Sequence, residues 1–317
     1  MTGADHGDSD RKEFDHRDLV ASLSADERAE ILEKSDRAGL MHLAGHLGAI
    51  LVCASLVLAR VPFYPLVLLP LGVLIVFLFT PLHETIHGTA FRSQRLNDTV
   101  ASFCGFLVFL PPTWFRYFHF AHHRYTHDAE RDPELSVSKP TTWPRYLLVM
   151  TGILDWISRI TTILRNAVFE NNDAFVPQKG RARVRREARI FCALYGLVAF
   201  VGFWGGGNEI ALIWILPLLI GGPFLRAYLL AEHTRCPHVA NMLENTRTTF
   251  TTALVRFLAW NMPYHSEHHA YPTVPFHKLP LFHKMVRAHL RSTENGYVRF
   301  TRKYIRGISD GSLAKDL

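Results

Sequence analysis

The sequence predicts an all-α, multi-pass membrane protein: two transmembrane helical hairpins with a cytoplasmic helical cap that carries a histidine-rich metal site. Three observations carry this expectation. Uncharged runs recur along the chain, and one of them, Val61 to Leu82, is long enough to cross a hydrocarbon layer of about 30 Å as a helix. Basic segments flank these runs. Beside the same ends stand three histidine clusters, His83-Glu-Thr-Ile-His87, His119-Phe-Ala-His122-His123 and His265-Ser-Glu-His268-His269. Histidine is the commonest metal-binding side chain. Eight imidazoles exceed what one four-coordinate ion can use, so the pattern implies a binuclear centre at a membrane surface.

The average composition, 48% hydrophobic and 20% charged, conceals a segregation of charge along the chain. Residues 1–40 are dense in Asp, Glu, Lys and Arg and are expected to form a polar tail with a surface helix. Residues 41–290 form the membrane domain in this reading, and 291–317 a basic C-terminal tail. A basic start followed by an apolar core is missing, so no cleaved signal peptide is expected. Ala314-Lys-Asp-Leu317 does not spell a retention signal. Cys53, Cys104, Cys192 and Cys236 lack metal-type spacing and read as small apolar side chains. The net charge of +7 is placed around apolar spans, in Arg165–Arg189 and Lys278–Arg306, which suits anionic lipid headgroups and not nucleic acid.

Residues 1–22 are expected to be mobile. Ser24-Ala-Asp-Glu27 then has the form of a capping box opening a helix toward Asp36. The first hairpin is expected over 42–60 and 62–82, turning at Arg60-Val-Pro62. The second covers 190–205 and 208–230, turning at Gly205-Gly-Gly-Asn208. Pro65, Pro70, Pro217, Gly221 and Gly222 inside these spans are tolerable in membrane helices. Two shorter or charged apolar stretches, 99–115 and 146–164, read as re-entrant or interfacial. Residues 165–189 hold seven Lys or Arg, whereas the hairpin turns hold only Arg60. The positive-inside tendency therefore puts both turns outside and all three clusters in the cytoplasm.

On a helix, residues three and four apart share a face, so each cluster can aim its imidazoles to one side. His233, at the end of the second hairpin, adds a ninth: His83, His87, His119, His122, His123, His233, His265, His268 and His269. Isolated histidines (His42, His46, His238, His277, His283 and His289) read as amphipathic anchors, and so does His127. His83-Glu84-Thr85-Ile86-His87 also spells the zinc-protease signature, with Glu84 as general base. That reading leaves six clustered histidines without a role. A carboxylate-bridged di-iron bundle needs a second Glu-x-x-His motif in a helix, which the membrane domain lacks. A metal transporter would carry ionisable groups at mid-membrane, whereas these histidines sit at span ends.

The three boxes, their order and their placement around two apolar hairpins resemble the membrane fatty acid desaturase superfamily, over residues 40–290. That superfamily also includes lipid hydroxylases and carotenoid ketolases. His122-His-Arg-Tyr-Thr-His-Asp128, Arg131-Asp-Pro-Glu-Leu135 and Trp260-Asn-Met-Pro-Tyr-His-Ser-Glu-His-His-Ala-Tyr-Pro272 resemble a bacterial branch of dihydrorhizobitoxine desaturase-like proteins. The resemblance implies that the nine histidines hold two iron ions. It implies a dioxygen-dependent desaturase that introduces a double bond into a lipid or fatty acyl chain in a bacterial inner membrane. The alternative is a lipid or carotenoid hydroxylase or ketolase using the same centre. Glu84, Glu267 and Asp128 are expected to orient ligand imidazoles. No dinucleotide fingerprint or haem domain is evident, so a separate electron donor, a ferredoxin or a b-type cytochrome, is expected.

Overall fold

Four helices are long and apolar enough to cross a membrane in the computed structural model, which describes residues 14–313: Ala25–Leu58, Tyr64–His87, Gln178–Gly205 and Gly207–His233. They form the two expected hairpins. The third span begins earlier than residue 190 because the polar segment before it continues the same helix, and the first begins earlier than residue 42, at Asp36, after a short break from the polar helix Ala25–Leu32. The first turn needs left-handed backbone at Arg60 (φ 51°) and Phe63 (φ 61°). The first thirteen residues and Ala314–Leu317, which the tail and retention-signal readings concern, lie outside the described residues.

Part of the segment expected to be mobile is built. His16–Ser22 is a helix with its own capping box at Asp15, and it buries Leu19. Its His16 amide donates to the Asn241 side chain at 3.2 Å. The predicted box at Ser24 is present: Ser24 Oγ accepts from the Glu27 amide, and Glu27 accepts from the Ser24 amide. That helix, Ala25–Leu32, breaks before Asp36–Leu58, which Ser35 caps.

The second and fourth spans touch backbone to backbone. A Cβ at Gly72 would run into the Pro217 carbonyl, and one at Gly221 into the Gly72 carbonyl. Small residues let membrane helices approach this closely. Gly72→Val should therefore cost about 1–3 kcal/mol by overpacking, seen as a lower unfolding temperature in detergent. An unchanged temperature would mean that this contact does not support the bundle.

The stretches read as re-entrant or interfacial become Gln94–Leu107, Pro112–Tyr125 and the pair Trp143–Met150 and Ile153–Val168, bent by 57°. Gly152 sits at that bend with φ 73°, a conformation that glycine adopts freely. The C-terminal segment assigned to a basic tail is packed. Thr293–Glu294 pairs in parallel with Thr248–Thr249, and the helix Tyr297–Ser309 buries Phe300, Tyr304 and Ile308. These positions recur every four residues, so one apolar face is available. They pack with Tyr146, Leu230 and Ala231, and the Tyr304 hydroxyl donates to the Pro140 carbonyl at 2.5 Å.

Candidate metal centre

Each histidine cluster rides on a helix that the local sequence positions. The first lies on Phe79–His87, the last turns of the second span, and stops where Gly88 turns left-handed at φ 72°. The second lies on Pro112–Tyr125, which opens with Pro at its first position. Glu187 of the third span accepts from the Thr113 amide and hydroxyl, both at 2.8 Å. A carboxylate at a helix start is favoured by the exposed amides there. The third cluster forms the short helix His265–Ala270, and His233 closes the helix Leu216–His233.

The nine predicted histidines come together. His83, His87, His119, His123 and His268 form one group, and His122, His233 and His269 a second. Within each group one nitrogen per residue lies within 4.8 Å of every other. His265 joins the second group through its Nε2, 3.1 Å from His233 Nε2. The residues are buried or nearly so. Several ring nitrogens are buried with no hydrogen-bond partner, among them both of His83 and His268 and Nε2 of His87 and His269.

Close nitrogens need an explanation. His119 and His123 approach Nε2 to Nε2 at 2.9 Å, and His122 and His233 at 3.1 Å. Metal–imidazole bonds of about 2.0–2.1 Å put adjacent ligand nitrogens about 2.9–3.4 Å apart. The tautomers agree. His122 Nδ1 lies 2.9 Å from the Asp132 carboxylate, which can only accept, so Nδ1 carries the proton and Nε2 presents its lone pair inward. His233 Nδ1 faces the Asn245 carbonyl at 3.5 Å, and His269 Nδ1 faces Thr126 Oγ1 at 3.4 Å. That hydroxyl donates to the His122 carbonyl, which leaves its oxygen to accept. Inward lone pairs repel unless a cation sits among them. The donor set fits two metal ions.

The carboxylates that orient these rings differ from those expected. Asp128 pairs with Arg131 at the surface, at 2.5 Å, and touches no box histidine. Asp132 takes the expected role. It also accepts from the His127 and Glu134 amides at 2.9 and 3.0 Å. The sequence signal was Asp before Pro133, a capping residue that turns the chain back onto the second box. Glu232 lies 3.7 Å from His265 Nδ1. Glu267 is wholly buried but accepts from His283 Nδ1 and Thr248 Oγ1, both at 2.5 Å. Glu84 accepts from the Phe276 amide at 2.9 Å and ties the first box to the segment after the third. A carboxylate buried and bonded in this way is poorly placed as a protease base.

Two histidines read as surface anchors prove structural. His46 is wholly buried, 2.9 Å from the Leu74 carbonyl, and accepts from Trp260 Nε1 at 3.4 Å. His283 holds Glu267. His127 and His238 pack edge to face beside His233, outside both groups. Cys236 is buried and also outside them.

Burial holds the rings of His119, His123, His265, His268 and His269 well below the usual 6.5, and neighbouring imidazoles add to the effect. Burial pulls His122 down too, but Glu134 and Asp132 raise it above 6.5. As pH falls through 6.5, an unfolded chain protonates the five depressed rings and the folded chain does not. Their stability is therefore present above that pH and lost below it, with His122 opposing. Metal-stripped protein should unfold at a lower temperature at about pH 5.5 than at about pH 7.5; equal temperatures would contradict buried neutral rings.

A cavity of about 300 Å³ opens onto both groups at His83, His119, His122 and His265. Phe79, Leu110, Trp114, Phe115, Phe118 and Met262 form its apolar wall. Past His122 and His233 lies a second cavity of about 440 Å³, lined by His127, Asp132, Lys139, Arg235 and His238 together with Leu135 and Val137.

Fold and site together define a helical membrane protein whose span ends carry two histidine groups able to hold metal ions. The chain belongs to the fatty acid desaturase family, whose model matches residues 59–301. It is 28% identical over 205 residues to an sn-1 oleoyl-lipid 12-desaturase of Picosynechococcus, covering 59% of this chain and 56% of that protein. It is 26% identical over 146 residues to an sn-1 acyl-lipid omega-3 desaturase (ferredoxin) of Synechocystis, covering 45% and 41%. A beta-carotene 4-ketolase of Protosiphon botryoides is 25% identical over 229 residues, covering 66% and 48%. The chain thus spans about half the length of the curated relatives it matches.

Proposed function

We propose that the protein is a dioxygen-dependent di-iron desaturase that introduces a double bond into a lipid or fatty acyl chain. One observation carries the reading: an apolar cavity ends on histidines drawn from both groups. His83, His87, His119, His123 and His268 would hold one iron, and His122, His233, His265 and His269 the other. Imidazole also suits zinc and copper, so the choice of iron rests on the family. Bound iron would supply the dioxygen-dependent oxidising power needed to break unactivated C–H bonds.

The protein's part is positioning. The aromatic wall packs a methylene chain and keeps water away, while Asp132 fixes the His122 ring and its tautomer. The balance is that one –CH2–CH2– unit, dioxygen, two electrons and two protons give –CH=CH– and two waters. The electrons come from a separate donor, for which a ferredoxin is the leading candidate because one relative's name specifies it. The second cavity, beside His122 and His233 and lined by Lys139 and Arg235, is a site where an acidic donor would approach the histidines. Six of the seven Lys or Arg in 165–189 lie in the first turns of the third span, on the histidine side, which supports a cytoplasmic site in a bacterial inner membrane.

Lipids from expressing cells should show products lighter by two hydrogens on mass spectrometry. Gain of one oxygen would instead select the hydroxylase reading, and gain of one oxygen with loss of two hydrogens the ketolase reading, which the carotene ketolase likeness favours. Purified protein should carry about two irons per chain, following the two nitrogen groups. Stoichiometric zinc with peptidase activity lost in Glu84→Ala would overturn the assignment.

A further inference from the structure

The cavity that ends on the histidines also carries charge away from them. Asp155, Arg159 and Arg226 line it together, on the bent helix Ile153–Val168 and on the fourth span. Arg159 is 8% exposed and fully engaged: it pairs with Asp155 at 2.9 Å and donates to the Val108 carbonyl at 2.8 Å. Arg226 is not. Its Nη1 reaches Asp155 only at 3.5 Å, and its buried Nε has no partner. Two guanidiniums face one carboxylate, so the cluster keeps one positive charge. Lys139, Glu134 and Glu232, the other charged groups of the cavity wall, belong to its histidine end, where Glu134 and Glu232 lie 3.9 and 3.7 Å from His122 and His265.

Its depth is informative. Arg226 precedes His233 by seven residues on one helix, about 10 Å along the axis. The fourth span has 27 residues, about 40 Å, against about 30 Å of hydrocarbon. If the histidine end projects by that excess, Arg226 lies level with the lipid headgroups. At that level an amphiphile whose chain runs along the cavity toward the histidines would have its head beside Arg226.

Building on the desaturase reading, we propose that Arg226, braced by Asp155 and Arg159, binds the anionic head of the substrate amphiphile, a carboxylate or a phosphate. The anchored head sets which carbon–carbon bond reaches the histidines. Arg226 is a binding residue here, remote from the reacting carbons, and a wholly apolar substrate such as a carotene would leave its charge unmatched.

The test uses full-length protein in nanodiscs of neutral lipid, with binding of oleate, oleyl phosphate and methyl oleate measured at equilibrium. At least one anion should bind about tenfold tighter than methyl oleate. The tighter anion identifies the head as carboxylate or phosphate. Arg226→Gln should erase the preference and leave methyl oleate unchanged, while Arg226→Lys retains most of it. Double bonds made by Arg226→Gln should scatter along the chain. Equal binding of all three by the wild type, or an unaltered preference in Arg226→Gln, overturns the proposal. If Arg226→Gln does not fold, the wild-type comparison and Arg226→Lys still decide. Anion preference without any double bond formed would sink the desaturase reading and spare the anion site. Double bonds without preference would do the reverse.

Discussion

His268→Ala is expected to abolish turnover and to empty the five-histidine group of metal. His268 is wholly buried and neither ring nitrogen has a hydrogen-bond partner, so alanine removes packing against neighbouring imidazoles but no hydrogen bond. What it loses is one nitrogen within 4.8 Å of four others. Residues that merely orient a ligand cost about 10–100-fold, and a ligand itself should cost more than about 100-fold in activity. Iron per chain should fall while the metal-stripped protein still folds, its unfolding temperature lowered only by the cavity that the ring leaves. Full activity with full iron content would remove His268 from the centre and bring the two-ion reading down with it.

Asp132→Asn is expected to have the next largest effect, about 10–100-fold in metal affinity or activity. Its two oxygens accept from His122 Nδ1 and from the His127 and Glu134 amides. An amide of the same shape offers only one acceptor oxygen, so its NH2 must face a donor. It also removes the negative charge that favours the His122 proton on Nδ1. Loss of the orienting bond should weaken metal retention in dialysis, and Asp128→Asn serves as the control because Asp128 engages only Arg131 and the loop around it. Equal effects of the two changes would show that His122 needs no fixed tautomer.

The two hairpins and all nine histidines were legible because their signals are local. A charge-free run long enough to span, and imidazoles three or four apart, mean the same thing in any context. The orienting carboxylates were not. Glu84, Glu267 and Asp128 stand beside box histidines in sequence, but adjacent residues on a helix point different ways. Glu84 consequently turns to Phe276, and Glu267 to Thr248 and His283. Asp132 acts from ten residues beyond His122, through a turn whose closure depends on the fold. The basic C-terminal segment misled for a similar reason: its charges are conspicuous, whereas Phe300, Tyr304 and Ile308 gain meaning only against Tyr146 and Leu230.

Sequence alone determined the membrane spans, the helical boxes and the set of imidazoles, since hydropathy and short helical spacing act within a few turns of chain. Tertiary structure decided how the nine rings divide between two groups, which acids hold them, and where the cavity places Arg226. Each of those depends on groups far apart in the chain meeting at ångström distances, and no short-range pattern encodes such a meeting.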